Sequence, residues 1–404
     1  MTAPVSVEHP QSAAKGSNGW IANLFNAYLL AFAIEGLLSL LQKILGGSPA
    51  GLLLAPAKAL ASFGSVLLAV CVTLIVCSYR RVRWMGLLPA LALTFWKAFY
   101  FLPLPAYFSW STLELCGALA QTSAGVATFL LLRARSQGAS FLLPREATCQ
   151  AEFSWTRTGL TLVLKLCAVL PGLVLYVLIS ARILIHEYSS GFLEVNSTGI
   201  YTEARTYERG GHKIYLLPTI HIASPAFYDT LMEGLPEKSS AILPEGVTDQ
   251  QGVLKDLIDY SGAANSVGLS SQPDLTAPRK SHTVLRCDAD VSEFSLETRK
   301  ILNGLGRVLK NLKSGDLEAT LSALETLDEE PSKAVWKDIL ETRNNKVLVT
   351  VSQALPQYEH IAVPWGAAHM PGIERGLLEM KARRIEARRV EVFKWTDLKI
   401  HPEP

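Results

Sequence analysis

Apolar residues are shared unequally along this 404-residue chain. Up to about residue 187 they run in long stretches, at roughly 20–42, 58–78, 85–106, 113–132 and 159–184. Each stretch is near the ~20 residues that cross a ~30 Å hydrocarbon core, so the pattern predicts a region of about five membrane helices over 20–187. Asn23, Asn26 and Glu35 interrupt the first stretch, which also suits a helix lying in the interface. Residues 1–19 are polar and rich in Ser, Ala and Gly, and read as a disordered lead. They do not form a secretory signal, because the apolar segment after them is too long and has no clear cleavage site.

From Gly199 the texture changes. Gly199 to Tyr207 alternates like a half-exposed strand, and Glu208 to His212 makes a turn with paired Gly. Short apolar runs recur at Lys213–Leu217, Ser240–Leu243, Thr283–Cys287, His360–Val363 and Val390–Phe393. Helical patterns at 224–235, 291–313, 333–355 and 373–387 separate them. Strands alternating with helices predict a parallel or mixed sheet with helices packed on it. Residues 261–281, rich in Ser, Pro and Gly, read as a long loop, either a mobile lid or disordered. The basic run Lys381–Arg389 reads as the solvated face of the helix before it. The fold class is therefore an α-helical multi-span membrane region followed by an α/β mixed-sheet domain over 188–404.

Charge adds sidedness. A net charge of +2 argues against nucleic acid as the partner and leaves the lipid bilayer as the evident one. Arg80, Arg81 and Arg83 follow the second stretch, and Arg133, Arg135, Arg145 and Arg157 lie between the fourth and fifth. The loop between the third and fourth has no Lys or Arg. The excess of cations on cytoplasmic loops then makes this a multi-pass protein with an extracytoplasmic C-terminal domain, periplasmic or extracellular. That side does not depend on whether the first stretch crosses. Glu35, Lys97, Glu114 and Lys165 fall inside the stretches, where charge is costly; Glu35 with Lys97 forms a plausible pair, and Glu114 and Lys165 are near enough to the ends to snorkel. Of the six Cys, only Cys287 lies in the α/β half, which excludes a disulfide within that domain.

Polar residues at the ends of the short apolar runs carry the candidate chemistry. His221 follows YLLPTI, Glu245 follows AILP, Asp288 and Asp290 follow VLRC, and His369 follows IAVPWGAA. Parallel strands would bring all of these to one sheet edge, where α/β enzymes keep their sites. Two imidazoles and a carboxylate suit a divalent metal with an open position for water. A second carboxylate could then accept a proton from that water. Each residue also has a plain reading: a capping His, a turn-capping Glu245, or an Asp288 or Asp290 that caps the next helix.

These motifs, in this order, resemble the TraB/TIKI family, part of a wider group with erythromycin esterase-like and ChaN-like proteins. Gly366-Ala-Ala-His369, followed by Met-Pro-Gly-Ile, matches the family's second G-x-x-H. Glu245 in ILPEG matches its strand-end Glu, and Cys287-Asp-Ala-Asp-Val291 its D-x-D-(I/V) element. Arg343-Asn344 in ETRNN matches its helical Arg-Asn pair, and the likeness covers roughly 199–395. One position departs: Pro218-Thr-Ile-His221 has Pro where the family has Gly. Pro fixes φ and removes an N–H, which changes the loop geometry.

The resemblance implies a membrane-tethered, metal-dependent peptidase acting on a peptide or protein outside the cell. In that reading His221, Glu245 and His369 hold a divalent metal, manganese or cobalt first and zinc as an alternative. Asp290 is a further ligand or proton acceptor, and Arg343 and Asn344 orient these groups or hold a substrate carbonyl. Arg343 bridging to a core carboxylate is the plain alternative. Competing expectations are a metal-free esterase with a His as general base, and a non-catalytic peptide-binding, haem-binding or regulatory membrane protein.

Overall fold

The computed structural model describes residues 19–46, 48–82, 85–135, 140–148, 150–254, 259–275, 282–314, 316–325 and 332–399. The expected lead therefore lies outside the described residues except for Gly19. The chain divides into two compact units, Met1–Ala181 and Arg182–Pro404.

The first unit is a helical bundle. In order it holds α1 (Gly19–Leu45), α2 (Pro49–Ser78), the short strand β1 (Tyr79–Arg80), α3 (Leu88–Ala98), α4 (Trp110–Arg135), the short strand β2 (Glu152–Phe153) and α5 (Trp155–Leu164). A π-helical turn at Lys165–Val169 continues α5 into α6 (Leu170–Tyr188). Among the described residues four helices are long and apolar enough to cross a membrane: α1, α2, α4 and the combined Trp155–Tyr188.

The stretch 85–106 does not make a fifth such helix. Its α3 has 11 residues, about 16 Å at 1.5 Å per residue, too short for the hydrocarbon core. Pro103 and Pro105 explain the stop, since each removes an N–H and turns the residue before it away from the helical region. Tyr100 and Phe101 already lie at φ 52° and 53°. The segment still runs from one end of the bundle to the other. Its start adjoins β1, which pairs with β2, and its end leads into α4, whose Glu114 pairs with Lys43 near the end of α1 at 2.6 Å.

Of the three polar residues that interrupt α1, Asn26 and Glu35 are bonded within the protein and Asn23 is exposed. The Asn26 amide donates to the Leu143 carbonyl at 2.9 Å and its oxygen accepts from the Leu143 N–H at 2.8 Å. Glu35, 2% exposed, accepts from Lys97 at 2.6 Å, as its expected pairing requires, and also from Ser65 and Gln121. The combined α5–α6 helix is the opposite case, with none of its apolar window buried inside the protein.

The second unit is an α/β domain. Its strands are β3 (Leu193–Val195), β4 (Gly199–Arg209), β5 (His212–Thr219), β6 (Ile222–Ala223), β7 (Ser240–Ile242), β8 (Ser270–Ser271), β9 (Thr283–Val284), β10 (His360–Gly366) and β11 (Arg383–Lys394). Its helices are α7 (Phe227–Met232), α8 (Ser261–Ser266), α9 (Leu296–Lys313), α10 (Leu317–Glu325), α11 (Lys333–Trp336), α12 (Arg343–Ala354) and α13 (Met370–Glu379). The main sheet runs β11-β4-β5-β10-β7-β9, with β3 beside β4. β5, β10, β7 and β9 are mutually parallel, whereas β4 and β11 are antiparallel. Gly210 and Gly211, at φ 59° and 85°, close the β4–β5 hairpin with the left-handed pair that a two-residue turn demands.

Alternation along the strands feeds two cores. Ile214, Leu216, Ile361, Val363 and Trp365 pack with Val347 and Val351 of α12 and Ile373 and Leu377 of α13. On the other face Leu217 and Ala362 meet Phe227 and Leu231 of α7 and Val390 and Val392 of β11. Each large apolar side chain so buried contributes roughly 1.5–3 kcal/mol.

Two readings of this half change. The helix expected over 373–387 ends at Glu379, and the basic run belongs to edge strand β11 and the turn before it. Arg-rich edges discourage pairing with other chains. The loop expected over 261–281 contains α8 and β8, and its residues 276–281 lie outside the described residues.

Candidate active site at the carboxyl edge

The four parallel strands end at one edge, so the segments after them converge there. Glu245 stands three residues beyond β7, Asp288 four beyond β9 and His369 three beyond β10. Arg343 and Asn344 open α12, just after a π-helical turn at Lys337–Thr342. Such turns are frequent at functional positions because they re-aim the side chains that follow.

Arg343 is the hub. Its guanidinium is buried and forks onto Asp288, Nε to Oδ1 at 2.8 Å and Nη2 to Oδ2 at 2.7 Å. Nη2 also donates to Glu245 Oε1 at 2.7 Å, and Nη1 lies 3.2 Å from His369 Nε2. The guanidinium carbon sits 5.3 Å from the Trp365 ring centroid. Only this planar donor set reaches both carboxylates and the imidazole together.

His369, 4% exposed, has Nδ1 2.8 Å from Asn344 Oδ1. Arg343 can only donate, so its approach to Nε2 is a hydrogen bond in the tautomer that carries its proton on Nδ1 and gives it to Asn344. Glu245 Oε1 is 3.4 Å from the same Nε2. Burial alone would raise the Glu245 carboxyl, but the His369 ring, the Arg343 charge and the Gly366 amide outweigh it and hold it well below the usual carboxylate range. Arg343 is held above its ordinary value: desolvation lowers it, and the bonds and charges of Asp288 and Glu245 prevail.

Two glycines make room for this packing. The Gly366 N–H donates to Glu245 Oε2 at 2.6 Å, and a Cβ there would stand 3.1 Å from that oxygen. A Cβ on Gly372 would come within 2.3 Å of Asn344 Nδ2. The Gly of the Met-Pro-Gly-Ile segment thus admits the side chain that orients His369.

The remaining expected residues fall elsewhere. Asp290 accepts from the Ser292 amide and hydroxyl, the Thr248 hydroxyl and the Gln250 amide, and caps the turn Val291–Glu293. Those bonds, the Ser292 hydroxyl first, hold its carboxyl below the usual range. Of the two acids in Asp288-Ala-Asp290, the first joins the cluster and the second is a cap. His221 is exposed and its ring stacks on Tyr260, centroids 4.5 Å apart and planes 7° apart. The Ala367 N–H bonds to the Thr219 carbonyl at 3.0 Å, which ties the His221 and His369 loops at their base. Burial, with a contribution from Glu245, raises the Tyr260 hydroxyl.

Tyr260, Trp365, Thr219 and Gly372 were not marked as site residues in the sequence. Thr219, buried at the end of β5, has no hydrogen-bond partner for its hydroxyl among the described residues. Only Gly372 left a signal, as part of a matched motif. Cys287 beside the cluster is not a nucleophile: burial, then the Asp288 charge, push its thiol up to about 12.

The expected metal set does not fit this arrangement. Both oxygens of Glu245 and both of Asp288 are engaged by Arg343 and by amides, and His369 Nε2 faces Arg343. The His221 ring stacks face to face on Tyr260. Among the described residues no group of three or more His, Cys, Asp or Glu side chains is disposed to hold a metal ion. A cation already stands between the two carboxylates, and it is Arg343.

No family model, curated protein or solved structure matches the chain.

Proposed function

We propose that the chain is a membrane-anchored hydrolase whose α/β domain activates water with His369. One observation carries the reading: the His369 imidazole has Nδ1 on the Asn344 amide oxygen and its other nitrogen between a carboxylate and a guanidinium. His369 Nε2 takes the proton from water as the water attacks a carbonyl. The imidazolium that forms lies beside Glu245, whose ionised carboxylate stabilises it, and then returns the proton to the leaving group. Nε2 has one in-plane lone pair, so Arg343 Nη1 leaves it for the carbonyl oxygen as the water is seated, before the proton is taken. Asp288 keeps Arg343 oriented throughout. His221 and Tyr260 form an aromatic rim suited to positioning a substrate.

The likeness to TraB/TIKI motifs supports this class of reaction and also offers a competing form, a peptidase using a divalent metal on His221, Glu245 and His369. That form requires Arg343 to leave both carboxylates. The basic loops at one end of the bundle favour a cytoplasmic location for that end, which makes the domain extracytoplasmic. The test is a panel of p-nitrophenyl esters and short peptides offered to the full chain in detergent. Turnover reduced at least ~100-fold in His369→Gln, with substrate binding retained, supports the proposal; equal turnover in the variant overturns it.

A further inference from the structure

The helical unit holds a second polar site that the hydrolase reading does not use. A cavity of about 590 Å³ is lined by Glu35, Ser39, Lys43, Lys58, Lys97 and Glu114. Four of the five charges are paired: Lys97 with Glu35 at 2.6 Å and Lys43 with Glu114 at 2.6 Å. Lys58 has no carboxylate or hydrogen-bond partner among the described residues. Three ammonium groups against two carboxylates leave one uncompensated positive charge.

Two features show that this excess is built in. Lys58 is the only charged residue in the 30 residues of α2. An ionisable group in such a helix marks a functional position unless it finds a partner, and here its partners on the lining are already taken. Ser39 adds an independent sign. It is 8% exposed, lines the same cavity, and its hydroxyl has no hydrogen-bond partner among the described residues. A buried hydroxyl and a free ammonium lining one cavity supply two donors for an anionic oxygen group.

We infer that this cavity binds a singly charged anionic group, a phosphate or carboxylate, held by Lys58 and Ser39. The same chemistry is presented by the headgroup of an anionic lipid and by a free oxyanion. The setting favours the lipid, since the lining comes in part from α1, α2 and α4, helices long and apolar enough to cross a membrane. The Lys97–Glu35–Gln121 network ties α1, α3 and α4 together beside the cavity.

The test uses the full chain in a neutral detergent, titrated calorimetrically with dihexanoyl phosphatidic acid, dihexanoyl phosphatidylcholine and sodium phosphate. The expected result is saturable binding of the phosphatidic acid, weakened about tenfold or more in Lys58→Met and recovered in Lys58→Arg. Ser39→Ala gives a smaller loss. Sodium phosphate binding as tightly, with the same dependence on Lys58, supports the anion site and assigns a soluble source. Equal affinity for phosphatidylcholine, no saturable binding, or an unchanged Lys58→Met overturns the inference. The Met variant suits an apolar helix, and the wild-type comparison of the two lipids decides without it.

Discussion

Arg343 carries more of the site than any other residue, because it pairs with two buried carboxylates and closes on the imidazole. Removing one partner of a buried ionic set leaves uncompensated charge and typically costs about 3–5 kcal/mol. Arg343→Met is therefore expected to lower the local stability of α12 and β10 by about that much, read by hydrogen exchange; unaltered protection would show that the fork is dispensable. Glu245 gives a pH signature. Its folded carboxyl lies below the ordinary value of about 4.3, so the stability it contributes is complete above that pH and is lost as pH falls through the folded value. Domain stability should thus decline from pH 4 downward, and Glu245→Gln should flatten the decline; an identical slope in the variant would remove Glu245 from the account. Gly372→Ala tests the steric argument. Its Cβ meets Asn344 at 2.3 Å, and overpacking of this kind costs about 1–3 kcal/mol, with turnover falling alongside. Unchanged stability and turnover would mean that Asn344 has room to move.

Elements show why some of this was legible in sequence and some was not. Short apolar runs ending in His or an acid located β5, β7, β9 and β10, and parallel pairing then delivered Glu245, Asp288 and His369 to one edge. The choice between Asp288 and Asp290 was invisible, because it depends on which acid faces Arg343, 55 residues beyond Asp288. The end of α13 was also hidden. There the Ala382 N–H reaches the Leu377 carbonyl and the Lys381 N–H the Leu378 carbonyl, both at 3.0 Å, with Lys381 at φ 67°. This is a Schellman ending, but Lys occupies the position where Gly would announce it. Lys381→Gly is accordingly expected to stabilise the domain by about 1 kcal/mol, measured by denaturant midpoint; destabilisation would contradict the left-handed assignment. The third apolar stretch misled for a related reason. Its hydropathy suits a span, whereas Pro103 and Pro105 divide it into a short helix and turns.

At the scale of the whole molecule, a bundle with four membrane-length helices and an α/β domain share one chain, each with its own polar centre. Among the described residues the bundle holds two ion pairs and the unpaired Lys58 around a cavity, and the domain gathers its charges around one guanidinium. The central claim is that the domain's chemistry runs on His369 while Arg343 occupies the place a metal would need. The most direct measurement is hydrolysis by the full chain after exhaustive chelation, with and without added manganese, cobalt or zinc, beside His369→Gln. The account predicts turnover that survives chelation, gains nothing from the metals and is lost in the variant. Turnover that appears only with a divalent metal would contradict it, and would mean that Arg343 yields both carboxylates to the ion.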